Sequence, residues 1–128
     1  MKKGGEMVKI FYRSSCVSSR QACSWLKEYN IPSENLKITG ILKEDIIQLL
    51  TFSEHGFEDL LRRQSSINIK KISHLQTMNF TEGVDYLLNN IDLLKTPIIL
   101  AENKYMIGFN EDNIRQFLPK GYRNRVYY

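Results

Sequence analysis

Cys16 opens the run Cys16-Val17-Ser18-Ser19-Arg20, in a polar turn that follows a short apolar stretch and leads into a stretch with helical spacing. A thiol at such a junction faces first-turn N–H groups that have no intrahelical partner, and it meets the positive end of the helix macrodipole. Both favour the thiolate, so the pKa of Cys16 is expected below that of a free cysteine. Arg13 and Arg20 stand close enough in sequence to add positive charge. The competing reading makes Cys16 a small packed residue that happens to begin a helix.

The layout is that of a thioredoxin-like redox turn, except that Ser19 stands three residues after Cys16, where a resolving cysteine would be expected. The turn therefore cannot close an internal disulfide, and oxidation of Cys16 would have to proceed through a mixed disulfide or a sulfenic acid. Cys23, the other cysteine, lies roughly 10 Å further along the same helix at about 1.5 Å per residue, beyond disulfide reach. It is expected to be packed. His55 and His74 have no further ligands at metal spacing and are read as ordinary surface or packed histidines, so no metal and no cofactor is expected.

Elements that could position this thiol can be read on both sides of it. Residues 7–12 carry Val8, Ile10, Phe11 and Tyr12, types suited to a largely buried strand, and Ala22, Trp25, Leu26 and Tyr29 follow the i, i+3, i+4, i+7 spacing of one helix face. Asn30-Ile31-Pro32 ends that helix, and residues 36–39 supply a second short strand, giving a βαβ unit with a right-handed crossover if the strands are parallel. Leu42, Ile46, Leu49 and Leu50 return to helical spacing up to Glu54-His55-Gly56, where Gly56 suits a left-handed C-cap. Residues 57–79 are patterned more poorly, with short helical stretches near residues 58–63 and 70–75. Thr81 is the expected cap of the next helix, whose face is Val84, Leu87, Leu88 and Ile91.

Residues 97–100 and 104–108 read as an antiparallel pair joined by residues 101–103. Asn110 then caps a last helix with Glu111 and Asp112 in its first turn and Ile114, Phe117 and Leu118 on its buried side, closed by Pro119. Thr96-Pro97 opens the third strand, and the bond is either cis and facing the thiol turn or an ordinary trans link. The order predicts an α/β fold: a thioredoxin-like mixed sheet flanked by helices, with an inserted helical lobe. Residues 1–128 are read as one domain, with residues 7–39 and 96–118 as the core, 42–91 as the lobe, and 1–6 and 119–128 as flexible ends.

Composition narrows the function classes. A chain of 128 residues can bury a core without disulfides or metals. Two cysteines that cannot easily pair, no secretory signal and no apolar run longer than a strand point to a soluble cytosolic protein with no membrane partner. A net charge of +4 and a pI near 9.1 permit an anionic partner but fall short of a dedicated nucleic-acid-binding composition. The positive charge gathers at Arg62, Arg63, Lys70 and Lys71 and again at Lys120, Arg123 and Arg125, and the first of these clusters has no interleaved aromatic residues.

Over residues 7–119 the sequence resembles the arsenate-reductase-like Spx/MgsR family of regulators from low-GC Gram-positive bacteria. The resemblance is carried by the opening strand and turn with Cys16 and Arg20, by Ser53-Glu54-His55-Gly56, and by Leu93-Leu94-Lys95-Thr96-Pro97-Ile98-Ile99. Its strongest piece runs from Gly108-Phe109-Asn110-Glu111-Asp112 through Ile114-Arg115 to Phe117-Leu118-Pro119. It implies a stress-response regulator that binds the C-terminal domain of the RNA polymerase α subunit, with Gly56 at the contact and any promoter DNA contact made only within the polymerase complex. The family's C-x-x-C switch falls at Cys16 and Ser19, so thiol control here would reduce to an adduct at Cys16, for example with glutathione. The alternative is a glutaredoxin-coupled arsenate reductase, whose thiol turn matches Cys16, Ser19 and Arg20. That chemistry needs arginines around an oxyanion, and the corresponding positions are Gln64, preceded by Arg62 and Arg63, and Thr96. The substitutions favour the regulator.

Overall fold

The computed structural model describes residues 7–62 and 66–119. Among the described residues it has two compact units, residues 7–37 with 96–119 and residues 38–62 with 66–95. The expectations for residues 1–6, Arg63, Gln64 and 120–128 fall outside the described residues.

The first unit is built on a mixed four-stranded sheet in the order β2-β1-β3-β4. Strand β1 (Val8–Tyr12) is central and rich in β-branched and aromatic residues, and Ile10 and Phe11 are fully buried on its two faces. It pairs in parallel with β2 (Ser33–Lys37), Val8 opposite Ser33 through Tyr12 opposite Lys37. On its other side it pairs antiparallel with β3 (Ile98–Leu100), Ile10 opposite Ile99. Strand β4 (Tyr105–Ile107) completes the expected antiparallel pair, with Ile99 opposite Met106. This is the thioredoxin-like α/β arrangement.

Helix α1 (Val17–Glu28) connects the parallel pair. Its Ala22 and Leu26 are fully buried with Ile10, Ile99, Ile114 and Phe117, while Trp25 and Tyr29 pack at the margin with ring centroids 4.6 Å apart. The helix stops where Asn30 takes a left-handed φ of 55°, a conformation that asparagine tolerates better than most residues. The second strand begins three residues before the expected 36–39. Its polar residues Ser33, Glu34 and Asn35 pair with β1 through the backbone, which the side-chain pattern does not reveal, and Ile38–Gly40 form a 3-10 turn. The last helix is a 3-10 segment, Asn113–Phe117, not an α-helix. Asn110 does hold its start, the side-chain Oδ1 accepting from the N–H groups of Asp112 and Asn113 at 2.9 Å each.

The second unit contains α2 (Lys43–Phe52), α3 (Ser66–Leu75) and α4 (Phe80–Leu88), with 3-10 turns at Gly56–Leu60 and Ile91–Leu93. Ile46 and Leu49 are the buried face of α2. Leu42 instead precedes the helix and is 56 % exposed, because its N–H is taken by the Asp45 carboxylate at 2.9 Å in the N-cap position. Helix α4 is capped by Asn79, not Thr81: Asn79 Oδ1 accepts from Glu82 N–H at 2.9 Å, and Glu82 Oε1 accepts from Asn79 N–H at 3.1 Å. Both threonine and asparagine suit the position, and the reciprocal partner three residues on decides between them. Val84 and Leu87 are buried as expected, but Ile91 has left the helix for the following turn. Gly83 admits the ring of Phe57, since an added Cβ would lie 2.6 Å from Phe57 Cζ.

Candidate functional site

Strand β1 ends at Tyr12 and α1 begins at Val17, which leaves Cys16 as the N-cap residue of α1. Its backbone is extended and its sulfur accepts from Ser19 N–H at 3.4 Å, the role that a serine or asparagine oxygen usually fills. The turn is closed behind it by Cys16 N–H donating to the Arg13 carbonyl at 3.0 Å. Thr96 faces the thiol from just before the start of β3. The protonated Cys16 thiol donates to the Thr96 carbonyl at 3.7 Å, and the Thr96-Pro97 bond is cis.

Ser19 is 1 % exposed, and its Oγ accepts from the Arg13 backbone N–H at 3.3 Å. The Arg13 guanidinium donates from Nη1 to Thr96 Oγ1 at 3.2 Å. Partial burial alone would push the Cys16 pKa up. Hydrogen bonds from the Ser19 hydroxyl, the Thr96 side chain and the Ser19 and Ser18 amides outweigh it, and the thiol lies below its ordinary value. The expected direction holds, but part of the expected cause does not. Arg20 is not among the groups that lower the thiol; it donates from Nη1 to the Ser14 carbonyl at 2.9 Å, so it braces the turn.

Cys23 lies on the same helix, half-buried against the core, and burial pushes its thiol up. Both cysteines are free thiols. The turn thus shifts one thiol toward the thiolate, and burial in the helix shifts the other away from it.

Gly56 belongs to the second unit. It has a left-handed φ of 63°, yet it is not the C-cap of α2, which is Ser53; it opens the 3-10 turn three residues later. Asp59 holds this loop, Oδ2 accepting from the N–H groups of Glu54 and His55 at 3.1 Å each and Oδ1 lying 3.3 Å from His55 Nδ1. The His55 N–H is the main reason the Asp59 carboxyl sits below the usual carboxylate range; partial burial opposes it, and the His55 ring and the Glu54 N–H add to the lowering. An added Cβ at Gly56 would meet nothing within 4 Å, so this loop presents open backbone. His74 stacks edge-on to Tyr86 at 5.3 Å, and Lys71 pairs with Asp92 at 3.2 Å. Among the described residues, no group of three or more His, Cys, Asp or Glu is placed to hold a metal ion, and no helix is long and apolar enough to cross a membrane.

The sequence signalled Cys16, Ser19 and Gly56, and it offered Thr96 both as a position lacking an arginine and as the head of a Thr-Pro pair that could face the thiol turn, but not as a hydrogen-bond partner of the sulfur. Its role as a partner of the thiol needs β3 beside β1, a contact made across 80 residues of chain.

The ArsC family model matches residues 11–117. The global transcriptional regulator Spx of Streptococcus agalactiae is 35% identical over 93% of this chain and 88% of its own length. The Spx regulator of Streptococcus mutans is 31% identical over 93% of this chain and 88% of its own length. Among solved structures, an ArsC-family-related protein from Bacteroides fragilis superposes with a TM-score of 0.73 at 22% identity, covering 87% of this chain and 98% of that one. An arsenate reductase from Vibrio cholerae gives 0.72 at 16% identity, covering 90% and 100%. At those identities the two structures speak to the fold alone.

Proposed function

The chain belongs to the ArsC family, and from that premise we propose that it is an Spx-like transcriptional regulator of the stress response. It acts in the cytoplasm by binding the C-terminal domain of the RNA polymerase α subunit, with Gly56 at the contact and any promoter DNA met only within that complex. The observation that carries the choice of regulator over reductase is the neutral Thr96 facing Cys16. Arsenate reduction needs an oxyanion held against the thiolate by several charged donors, and losing even one such donor typically costs a catalyst about 3 kcal/mol. Here Arg20 is turned to Ser14, and Arg13 gives its Nη1 donor to Thr96. The identity to two Spx regulators over nearly the whole chain supports the same reading.

Cys16 modulates this activity by adduct formation. Its thiolate attacks glutathione disulfide; a new Sγ–S bond forms as the glutathione S–S bond breaks, and one glutathione leaves as a thiolate that takes up a proton. Cys16 is oxidised and the departing glutathione is reduced. Ser19 supplies no thiol to displace the adduct, so reversal needs an external thiol.

The deciding experiment is titration of the protein against the isolated α C-terminal domain, with and without prior glutathione disulfide. Saturable binding that changes on adduct formation and is insensitive to the oxidant in Cys16→Ser is the expected result. Absence of binding, together with arsenate turnover in the presence of glutathione and glutaredoxin that Cys16→Ser abolishes, would establish the reductase instead.

A further inference from the structure

A hydroxyl carries one hydrogen and two acceptor lone pairs, so what occupies the lone pairs decides where the hydrogen goes. The two hydroxyls around the Cys16 sulfur each accept from a different donor of the same residue. Arg13 N–H donates to Ser19 Oγ at 3.3 Å, and Arg13 Nη1 donates to Thr96 Oγ1 at 3.2 Å. Ser19 is almost completely buried, so solvent does not compete for its hydrogen. The Arg13 carbonyl accepts from Cys16 N–H at 3.0 Å, which fixes the sulfur-bearing residue to the same anchor.

We propose that Arg13 is the positioning residue for Cys16, holding the Ser19 and Thr96 hydroxyls by their acceptor sides so that both hydroxyl hydrogens are presented to the sulfur. Its two arms differ in kind. The Ser19 arm uses the backbone N–H and survives any substitution except proline. The Thr96 arm uses the guanidinium, and a charged donor polarises the hydroxyl it binds, so that hydroxyl becomes the better donor to a thiolate. Arg13 thereby transmits positive charge to the sulfur through Thr96 without having to touch it. When Cys16 is protonated, its S–H donates to the Thr96 carbonyl; when it ionises, the Thr96 hydroxyl takes over, so one residue serves both states. This inference rests on the proposed thiol modulation, but the chemistry it concerns can be measured without any polymerase.

The test is the pH dependence of iodoacetamide alkylation at Cys16, followed peptide by peptide by mass spectrometry in the full chain, with Cys23 as the internal comparison. Arg13→Met is expected to move the Cys16 profile to higher pH and slow alkylation at pH 7 by roughly threefold or more, since below the pKa each unit of upward shift removes about tenfold of the thiolate. Arg13→Lys, which keeps a cationic donor, is expected to fall between the parent and Arg13→Met. Thr96→Val removes the relay hydroxyl at nearly constant volume, and Arg13→Met added to it should slow the reaction no further, the coupling that a double-mutant cycle isolates. An unchanged Cys16 profile in Arg13→Met overturns the proposal. So does an Arg13→Met effect that persists in full in the Thr96→Val background, which would mean that the guanidinium acts directly through space. A merely structural role would shift Cys23 alkylation and thermal unfolding in step with Cys16, and that outcome also counts against it. If the Cys16 profile shifts as expected while oxidation leaves polymerase binding untouched, the positioning role stands and the thiol-modulation reading fails.

Discussion

Substitution of Gly56 separates backbone strain from surface contact, because the two make different demands on the side chain. With φ at 63°, any L-residue there costs about 1–2 kcal/mol, and relief of glycine's excess unfolded-state freedom returns roughly 0.5–1 kcal/mol of it. No overpacking term is added, since a Cβ would meet nothing within 4 Å. Gly56→Ala and Gly56→Arg should therefore both lose roughly 0.5–1 kcal/mol, a fall in Tm of about 2–5 °C for a chain of this size, with native circular dichroism. Binding to the polymerase α C-terminal domain should divide them. Alanine is expected to bind within a few fold of the parent, whereas arginine, projecting from the open loop, should weaken binding by about thirtyfold or more, the scale of a central interface residue. Calorimetric titration of both variants, beside Gly56→Asn as a residue that tolerates the left-handed region, reads the difference. Unimpaired binding by Gly56→Arg would refute Gly56 as a contact. A loss of stability by Gly56→Ala far beyond a few degrees would refute the openness of the loop.

Because the Cys16 pKa is depressed on folding, the folded protein binds fewer protons than the unfolded chain between the folded-state pKa and the ordinary thiol value of 9.0. Reduced protein should gain stability as pH rises through that window and lose it as pH falls through the folded pKa; urea unfolding across pH should show this slope, and Cys16→Ser should abolish it. Cys23, shifted upward by burial, should oppose the trend only above pH 9.0. Glutathione disulfide should give a single adduct by intact mass, mapped to Cys16, and a dominant adduct at Cys23 would contradict the assigned reactivities. Asn79→Ala should destabilise by about 1 kcal/mol through loss of the α4 cap, and Thr81→Ala by no more than a few tenths, measured by chemical denaturation; equal effects would restore Thr81 as the cap.

Local chemistry in the sequence was enough to determine the strand at Val8–Tyr12, the helix face of Ala22, Trp25, Leu26 and Tyr29, the antiparallel β3-β4 pair and the position of Cys16 at a helix start. Each is set by residues within a turn or two of one another, whose apolar period and cap candidates the chain displays directly. Gly56 was legible as a left-handed position, since little else places a glycine after a helical run in this way, but not as the opening of a separate 3-10 turn braced by Asp59. Strand β2 was legible only at its apolar end, and its polar start at Ser33–Asn35 escaped because its stability comes from backbone pairing to Val8–Tyr12 and its side chains carry no alternating pattern. What reaches the thiol from outside its own turn was decided by tertiary structure alone. Arg20 lies one helical turn after Cys16, yet its guanidinium goes to Ser14, while Arg13 reaches Thr96. Which arginine serves the sulfur depends on the pairing of β1 with β3, which brings residues 80 positions apart into hydrogen-bond range, and no local period encodes that distance.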